Sequence, residues 1–250
     1  MKKYLIALMA MVILTGCATL NPAKPKGKGW VSLFNGKDMS QFDVQSQHTK
    51  IWTVKDGTID CYPLADKMEG DKSLWTKDEF GDVELQIDWR IIRTTGKYNV
   101  PTVLPSGLHA KGADGNDIIT KMDNADSGIY LRGTPKAQVN IWCWPIGSGE
   151  VYGYRMDAKQ PASVRAGVTP KVNADKPVGE WNRFHITIKG DRLTVLLNGK
   201  TVLDNAELPD VPEKGKLVLQ HHGGYNSETK TWSPASSLVQ FKNIYVRELN

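Results

Sequence analysis

Gln138, Asn140 and Trp142 alternate with Val139, Ile141 and Cys143 along one short stretch of the chain. Successive strand side chains point to opposite faces, so this spacing sets two amides and an indole side by side. Such a face suits a sugar: amides exchange hydrogen bonds with hydroxyls, and an indole stacks against the ring. If the face is covered instead, the same three are structural groups. Asp88 and Arg90 share the polar side of another alternating run, where they either floor a site or pair with each other. His221 and His222 precede Gly223-Gly224, and as strand neighbours they point opposite ways, so one of them enters a cleft. A histidine there suits a base near neutral pH or a metal ligand, or it fixes the loop. Glu150, next to Val151 and Tyr152, is the best spare carboxylate in a long loop, where an exposed charge is the plainer reading.

Asp114-Gly115-Asn116-Asp117 and Asp123-Asn124-Ala125-Asp126 gather oxygen ligands but lack the full spacing of an EF-hand. Turn-forming Asp and Asn explain them as well, so a divalent metal stays open as cofactor. No Gly-rich phosphate loop, nucleophile elbow or zinc motif is present. Ser127 in Asp-Ser-Gly lacks a serine-hydrolase context and reads as structural. An ordinary retaining glucanase needs two carboxylates about 5 Å apart, commonly as E-x-D-x-x-E, and no such motif occurs.

The elements that must carry these residues are strands. Val83, Leu85, Ile87, Trp89 and Ile91 fall on one side of a period-two run, with Glu84, Gln86, Asp88 and Arg90 on the other. Similar alternation marks 128–132, 138–143 and 184–188. Arg192 to Leu197 leads into Asn198-Gly199, a tight-hairpin dipeptide, and Val202-Leu203 begins the return. Strands over 216–220 and 238–247 close the pattern. No sustained 3.6-residue stripe appears, so the fold class predicted is all-β, a β-sandwich or jelly roll. Two long Gly-, Asp- and Pro-bearing loops, 93–126 and 145–180, flank the polar strand block, and loops of that length are functional or disordered.

The N-terminus addresses a membrane. Lys2 and Lys3 precede an apolar run from Tyr4 to Leu14, too short to span a bilayer, which ends in Leu14-Thr15-Gly16-Cys17. This order predicts a lipoprotein signal over residues 1–16 and diacylglyceryl transfer to Cys17. A small, Pro-bearing, basic tether follows to residue 28, with one domain over 29–250. The reading is an exported protein held by lipid, at the outer membrane, since Ala18 is not the aspartate linked to inner-membrane retention. The net charge of +5 includes Lys2 and Lys3, and much of the remainder lies in the tether, so no nucleic-acid partner is implied. Cys61 and Cys143 are free to pair in an oxidising compartment or to stay apart as buried thiols. Eight Trp suit either sugar stacking or a core.

Taken together, the short motifs resemble the 3-keto-disaccharide hydrolase family. They run in its order: Trp30-Val31-Ser32-Leu33-Phe34-Asn35-Gly36-Lys37-Asp38, then Trp52-Thr53-Val54-Lys55-Asp56-Gly57, Leu74-Trp75-Thr76 and Asp82-Val83-Glu84-Leu85. Asp126-Ser127-Gly128-Ile129-Tyr130-Leu131-Arg132-Gly133 follows the family's N-S-G-I-x-L-R-G. Gly179-Glu180-Trp181-Asn182, Leu197-Asn198-Gly199, Leu219-Gln220-His221-His222-Gly223 and Val239-Gln240-Phe241-Lys242-Asn243-Ile244 complete the series. The resemblance implies a concanavalin-like jelly roll and action on sugars whose C3 hydroxyl is oxidised to a ketone. Such a ketone acidifies the C2 proton; a base removes it, the enolate oxygen is stabilised, the C1 substituent leaves and water adds. It places His222 in the cleft as base or metal ligand and Gln220 in support. Arg132 becomes either a donor to O3 or a salt bridge for the next loop. Where the family reads E-V-Q-I, this chain reads Gln138-Val139-Asn140-Ile141, and an amide takes up no proton near neutral pH. Glu150 is then the candidate for the vacated role. The alternative is a lipoprotein that binds carbohydrate without catalysis.

Overall fold

A computed structural model describes residues 24–62 and 71–249. The leader, Cys17 and the tether as far as residue 23 lie outside the described residues. In chain order the strands and helices are β1 (Val31–Ser32), β2 (Trp52–Lys55), β3 (Thr58–Cys61), β4 (Leu74–Phe80), β5 (Val83–Ile91), β6 (Lys97–Pro101), β7 (Ile119–Asp123), β8 (Asp126–Leu131), β9 (Thr134–Trp142), α1 (Tyr152–Arg155), α2 (Ala162–Gly167), β10 (Asn182–Lys189), β11 (Arg192–Leu197), β12 (Lys200–Glu207), β13 (Gly215–Leu219), β14 (Tyr225–Asn226), β15 (Thr231–Trp232) and β16 (Val239–Glu248), with one 3₁₀ turn at His48–Lys50.

A large antiparallel sheet runs β12-β11-β10-β5-β16-β3-β2, with β1 also on β16; a smaller one runs β4-β13-β8-β9. The alternation in β5 is why the sheets pack. Val83, Leu85, Ile87, Trp89 and Ile91 are all buried and inward, and Leu85 and Ile87 meet Ile129, Leu217 and Leu219 of the smaller sheet. Burying such side chains contributes about 1.5–3 kcal/mol each. The protein is thus an all-β jelly-roll sandwich. At the Asn198-Gly199 turn both residues have positive φ, 52° and 81°, which a type I′ hairpin requires.

The long loops carry more order than their composition suggests. Residues 93–126 contain the β6–β7 hairpin, which pairs only with itself. Residues 145–180 contain α1 and α2, of four and six residues, too short to leave a helical stripe in the sequence. Cys61 and Cys143 are free thiols. Cys61 lies in the core, where burial pushes its thiol well above the ordinary range, and burial raises Cys143 to about 11.

Candidate active site

The outer face of the smaller sheet is polar because β8 and β9 alternate in register. Ser127, Ile129, Val139 and Ile141 are buried toward the sandwich. Asp126 lies opposite Trp142, Gly128 opposite Asn140 and Tyr130 opposite Gln138, so all six share the outer face. Gly128 leaves room for the Gln138 side chain, which a Cβ there would push aside. Gln138 Nε2 crosses that gap to donate to the Ser127 carbonyl at 3.1 Å and to Gln220 Oε1 at 2.5 Å.

Over this face lies a cavity of about 490 Å³. Its floor holds Asp126, Gln138, Asn140 and Gln220. The β6–β7 hairpin supplies one wall through Tyr98, Asn99, Pro101 and Ile119, and also brings His109 and Asp117. Val100 of the same hairpin packs on Trp142 and Trp144 and holds the wall in place. Trp142 and Trp144 stack in parallel, 4.1 Å apart at 1°, and Tyr152 meets both edge-on at 6.2 and 6.5 Å. One face of Trp142 is therefore covered, and its Nε1 donates to the Gly147 carbonyl at 2.7 Å. The exposed aromatic surface at the mouth belongs to Tyr98 and Tyr152, each 42% accessible.

Two titratable centres line the cavity. Burial pushes the Asp126 carboxyl up to about 6, and His222 beside it partly offsets the shift. His222 stands behind Asp126 rather than on the wall. Its Nδ1 lies 2.9 Å from the Ala235 carbonyl, which fixes Nδ1–H as the donor tautomer, and its backbone N–H donates to Ser237 Oγ at 2.6 Å. The second centre is His109, whose Nδ1 lies 2.8 Å from Asp117 Oδ2. Its Nε2 is buried with no protein partner. Lys111 and then His109 hold the Asp117 carboxyl below its ordinary range. His221 points elsewhere, and desolvation, helped by Lys72 and His222, lowers it to about 4.

The structure does not bring every sequence-predicted residue here. Arg132 is buried, with a left-handed φ of 50°. Its guanidinium donates to the carbonyls of Gly81, Gly190 and Pro212 and to Asp82 Oδ1, at 2.8–3.2 Å. It is a clamp on three turns and reaches no ligand. Glu150 is fully buried against Arg155, which also donates to the Gly107 carbonyl at 3.1 Å. It is neither an exposed loop charge nor a cavity acid: the Gly149-Glu150 backbone pairs with Asn140, which draws its side chain under the loops. Burial lowers Arg155 to about 10, leaving it charged at neutral pH. Asp88 and Arg90 lie on the outer face of the other sheet. Asp88 binds Arg183 at 2.6 and 2.8 Å and Asn243 at 2.7 Å. Arg90 donates to Gln240 and stacks 4.7 Å over Trp181. They neither pair with each other nor floor the site. Gln138, Asn140, Trp142, Gln220 and Tyr152 do converge. Among the described residues no three His, Cys, Asp or Glu groups converge at metal-binding spacing.

Tyr98, Trp144 and His109 are residues that sequence reading missed, while Asp126 and Asp117 were read only as turn residues or metal ligands and not as members of this cavity. For Asp126 a signal existed: it begins the segment whose period-two face faces Gln138 and Asn140, and it replaces an asparagine of the resembling pattern. For the hairpin residues there was none, since their approach depends on how a long insertion folds back.

Comparison with solved structures finds the same fold. Two candidate glycosyl hydrolases from Parabacteroides distasonis ATCC 8503 superpose with TM-scores of 0.53 and 0.52. Their identities are 20% and 21%, over 89% and 88% of this chain and 84% and 99% of theirs. No curated protein matches the sequence. Residues 29–247, nearly the whole described sandwich together with its inserted hairpin, match the 3-keto-alpha-glucoside-1,2-lyase-like domain, and the chain belongs to that family.

Proposed function

We propose that this domain cleaves 3-keto-glycosides by C2 deprotonation, elimination and hydration. The observation that carries the reading is the position of Asp126. It is the one floor residue able to take up a proton, held near 6 among amides and between aromatic walls. A base poised close to the working pH is what removal of a carbon acid proton needs. In this reading the Asp126 carboxylate removes the C2 proton while Asn140 donates to the developing oxyanion at O3. The bond from C1 to the leaving oxygen breaks, and that oxygen takes a proton from His109, held by Asp117. Water then adds across C1 and C2: its oxygen bonds to C1, its proton passes to His109, and Asp126 returns its proton to C2. The net change is hydrolysis, and both groups regain their starting states. Gln138 and Gln220 anchor the far end of the ring, and Tyr98 and Tyr152 flank it.

Export and lipid attachment at Cys17 form part of the same proposal and rest on the N-terminal sequence alone. A carbohydrate-binding protein without turnover is the second reading, favoured by Gln138 standing where the resembling pattern has glutamate. The deciding experiment is turnover of a 3-keto-glucoside and of the unoxidised glucoside, each with and without added divalent metals. Cleavage of the keto-sugar alone is expected. Binding of a glycoside with no cleavage across a panel would leave the second reading.

A further inference from the structure

The chain enters the sandwich on the side away from the candidate active site. Of residues 24–30 only Trp30 is buried. Its indole lies 4.9 Å from the Arg247 guanidinium and meets His185 edge-on at 5.9 Å. His185 alternates with the inward Phe184 and Ile186 of β10, and Arg247 follows the inward Val246 of β16. Both therefore stand on the outer face of the larger sheet. Trp30 Nε1 donates to the Lys26 carbonyl at 3.2 Å, and Gly27 and Gly29 lie against the Arg247 side chain. Residues 26–30 are thus laid over that face before β1 pairs with β16. The cavity over Asp126 opens on the outer face of the other sheet.

Eight residues separate Cys17 from Lys26, a reach of about 30 Å at full extension. A lipid on Cys17 would therefore hold the larger sheet's outer face near the bilayer. The charge of that face suits the position. Asp88 and Glu84 are matched by Arg183 and Arg247. Arg90 and Lys242 remain, both against Trp181, 4.7 and 3.9 Å from its indole centre. Glu180, next to Trp181, offsets one of them, and the exposed Lys24, Lys26 and Lys28 add three positive charges. An indole set among cations suits the headgroup zone, where the ring lies between wet and apolar layers and the cations meet phosphates. Attraction to anionic lipid fades within a Debye length, about 8 Å at physiological salt, so it acts on a face already held close.

We infer that the outer face of the larger sheet docks on the anionic lipid headgroups of the membrane that holds the anchor, which turns the cavity away from the bilayer toward the solvent. The inference rests on the proposed lipid attachment and adds to it the orientation of the domain.

The test places the lipidated protein in phosphatidylcholine vesicles containing about one-third phosphatidylglycerol. A fluorophore is attached at Thr53→Cys, exposed on β2 in the row of Asp60, Gln240 and Arg90, or at Lys121→Cys, exposed on β7 of the hairpin beside the cavity. The parent, labelled alongside, gives the background from Cys61 and Cys143. A nitroxide carried on lipid headgroups is expected to quench the β2 label at least threefold more than the β7 label. That difference should shrink at least twofold in about 0.5 M NaCl and in Lys242→Glu. Equal quenching would mean that the domain turns freely on its tether, and stronger quenching of the β7 label that the hairpin meets the lipid; either would overturn the inference. If the chain carries no lipid, as flotation with neutral vesicles would show, the anchor fails by itself. Docking is then read as binding of the unlipidated chain to the anionic vesicles. Binding lost in salt and in Lys242→Glu would sustain the face; no binding, or binding indifferent to both, would end it.

Discussion

Asp126 and Gln138 sit on neighbouring strands of one face, and both depart from the pattern the chain otherwise follows: acid for amide at 126, amide for acid at 138. Gln138 lies opposite Tyr130, four residues along β8 from Asp126, and its side chain reaches back to the Ser127 carbonyl beside that acid, while Asp126 itself lies opposite Trp142. The reacting carbon therefore belongs at the Trp142 end. Asp126→Asn is expected to lower kcat for a 3-keto-glucoside at least 100-fold, measured with the fold checked by circular dichroism. In the parent, kcat/KM should rise with pH through about 6 as Asp126 ionises. The stability effect has the opposite sign. A carboxyl raised in the folded state favours folding while protonated, and that contribution is lost between about pH 4 and 6. Asp126→Asn should thus stabilise the protein at pH 8, by on the order of 2–3 kcal/mol in urea titration. His222 lowers the Asp126 pKa from behind, so His222→Ala should move the acid limb of the rate profile to higher pH. An unmoved limb would remove it from the site. Arg132→Ala should cost about 3–5 kcal/mol, because the carbonyls of Gly81, Gly190 and Pro212 lose their donor at once, with KM unchanged in whatever fraction folds.

At the scale of elements, the β6–β7 hairpin decides whether the polar face is a cavity or an open sheet. It belongs to neither layer of the sandwich and is held by Val100 against the two stacked indoles. Val100→Asp puts a charge into that contact. The expected result is a melting midpoint set by an intact sandwich, with ligand binding weakened tenfold or more as the wall carrying Tyr98 and His109 swings free. A single cooperative loss of the whole fold would show the hairpin to be integral to the core. Glu150 belongs to this scale as well, since its pair with Arg155 ties residues 149–155 to Gly107.

For the whole molecule, the sandwich presents two outer faces with different chemistry. One carries the cavity; the other carries the Asp88–Arg183 pair and Trp181, with Arg90 4.7 Å and Lys242 3.9 Å from the indole centre. Those contacts satisfy that face internally, which is why polar residues at the same alternating positions give a site on one sheet and a laced surface on the other. Lipid attachment at Cys17 is a proposal from the N-terminal sequence and lies outside the described residues. Cys17→Ser is expected to move the protein from the membrane fraction to the soluble fraction, and unchanged fractionation would remove the anchor.

The sequence by itself determined the alternating strands of the sandwich and their inward faces, though not the β6–β7 hairpin. Period-two alternation is local, and it predicted β5 and β11 to the residue and the Asn198-Gly199 turn between β11 and β12. It also brought Gln138, Asn140 and Trp142 to one face, because adjacent positions of one strand need no tertiary information. Only the tertiary structure decided which polar groups are used up. Arg132, Glu150 and Asp88 are as polar as Asp126, yet each is paired in the fold: Asp82 and Arg183 lie 50 and 95 residues from Arg132 and Asp88, and Arg155 lies 5 residues from Glu150. Glu150 shows that even a near partner does not reveal burial. Whether a charge is spent on the fold or left for a ligand depends on what packs over it, and that is a property of the assembled sheets rather than of any segment.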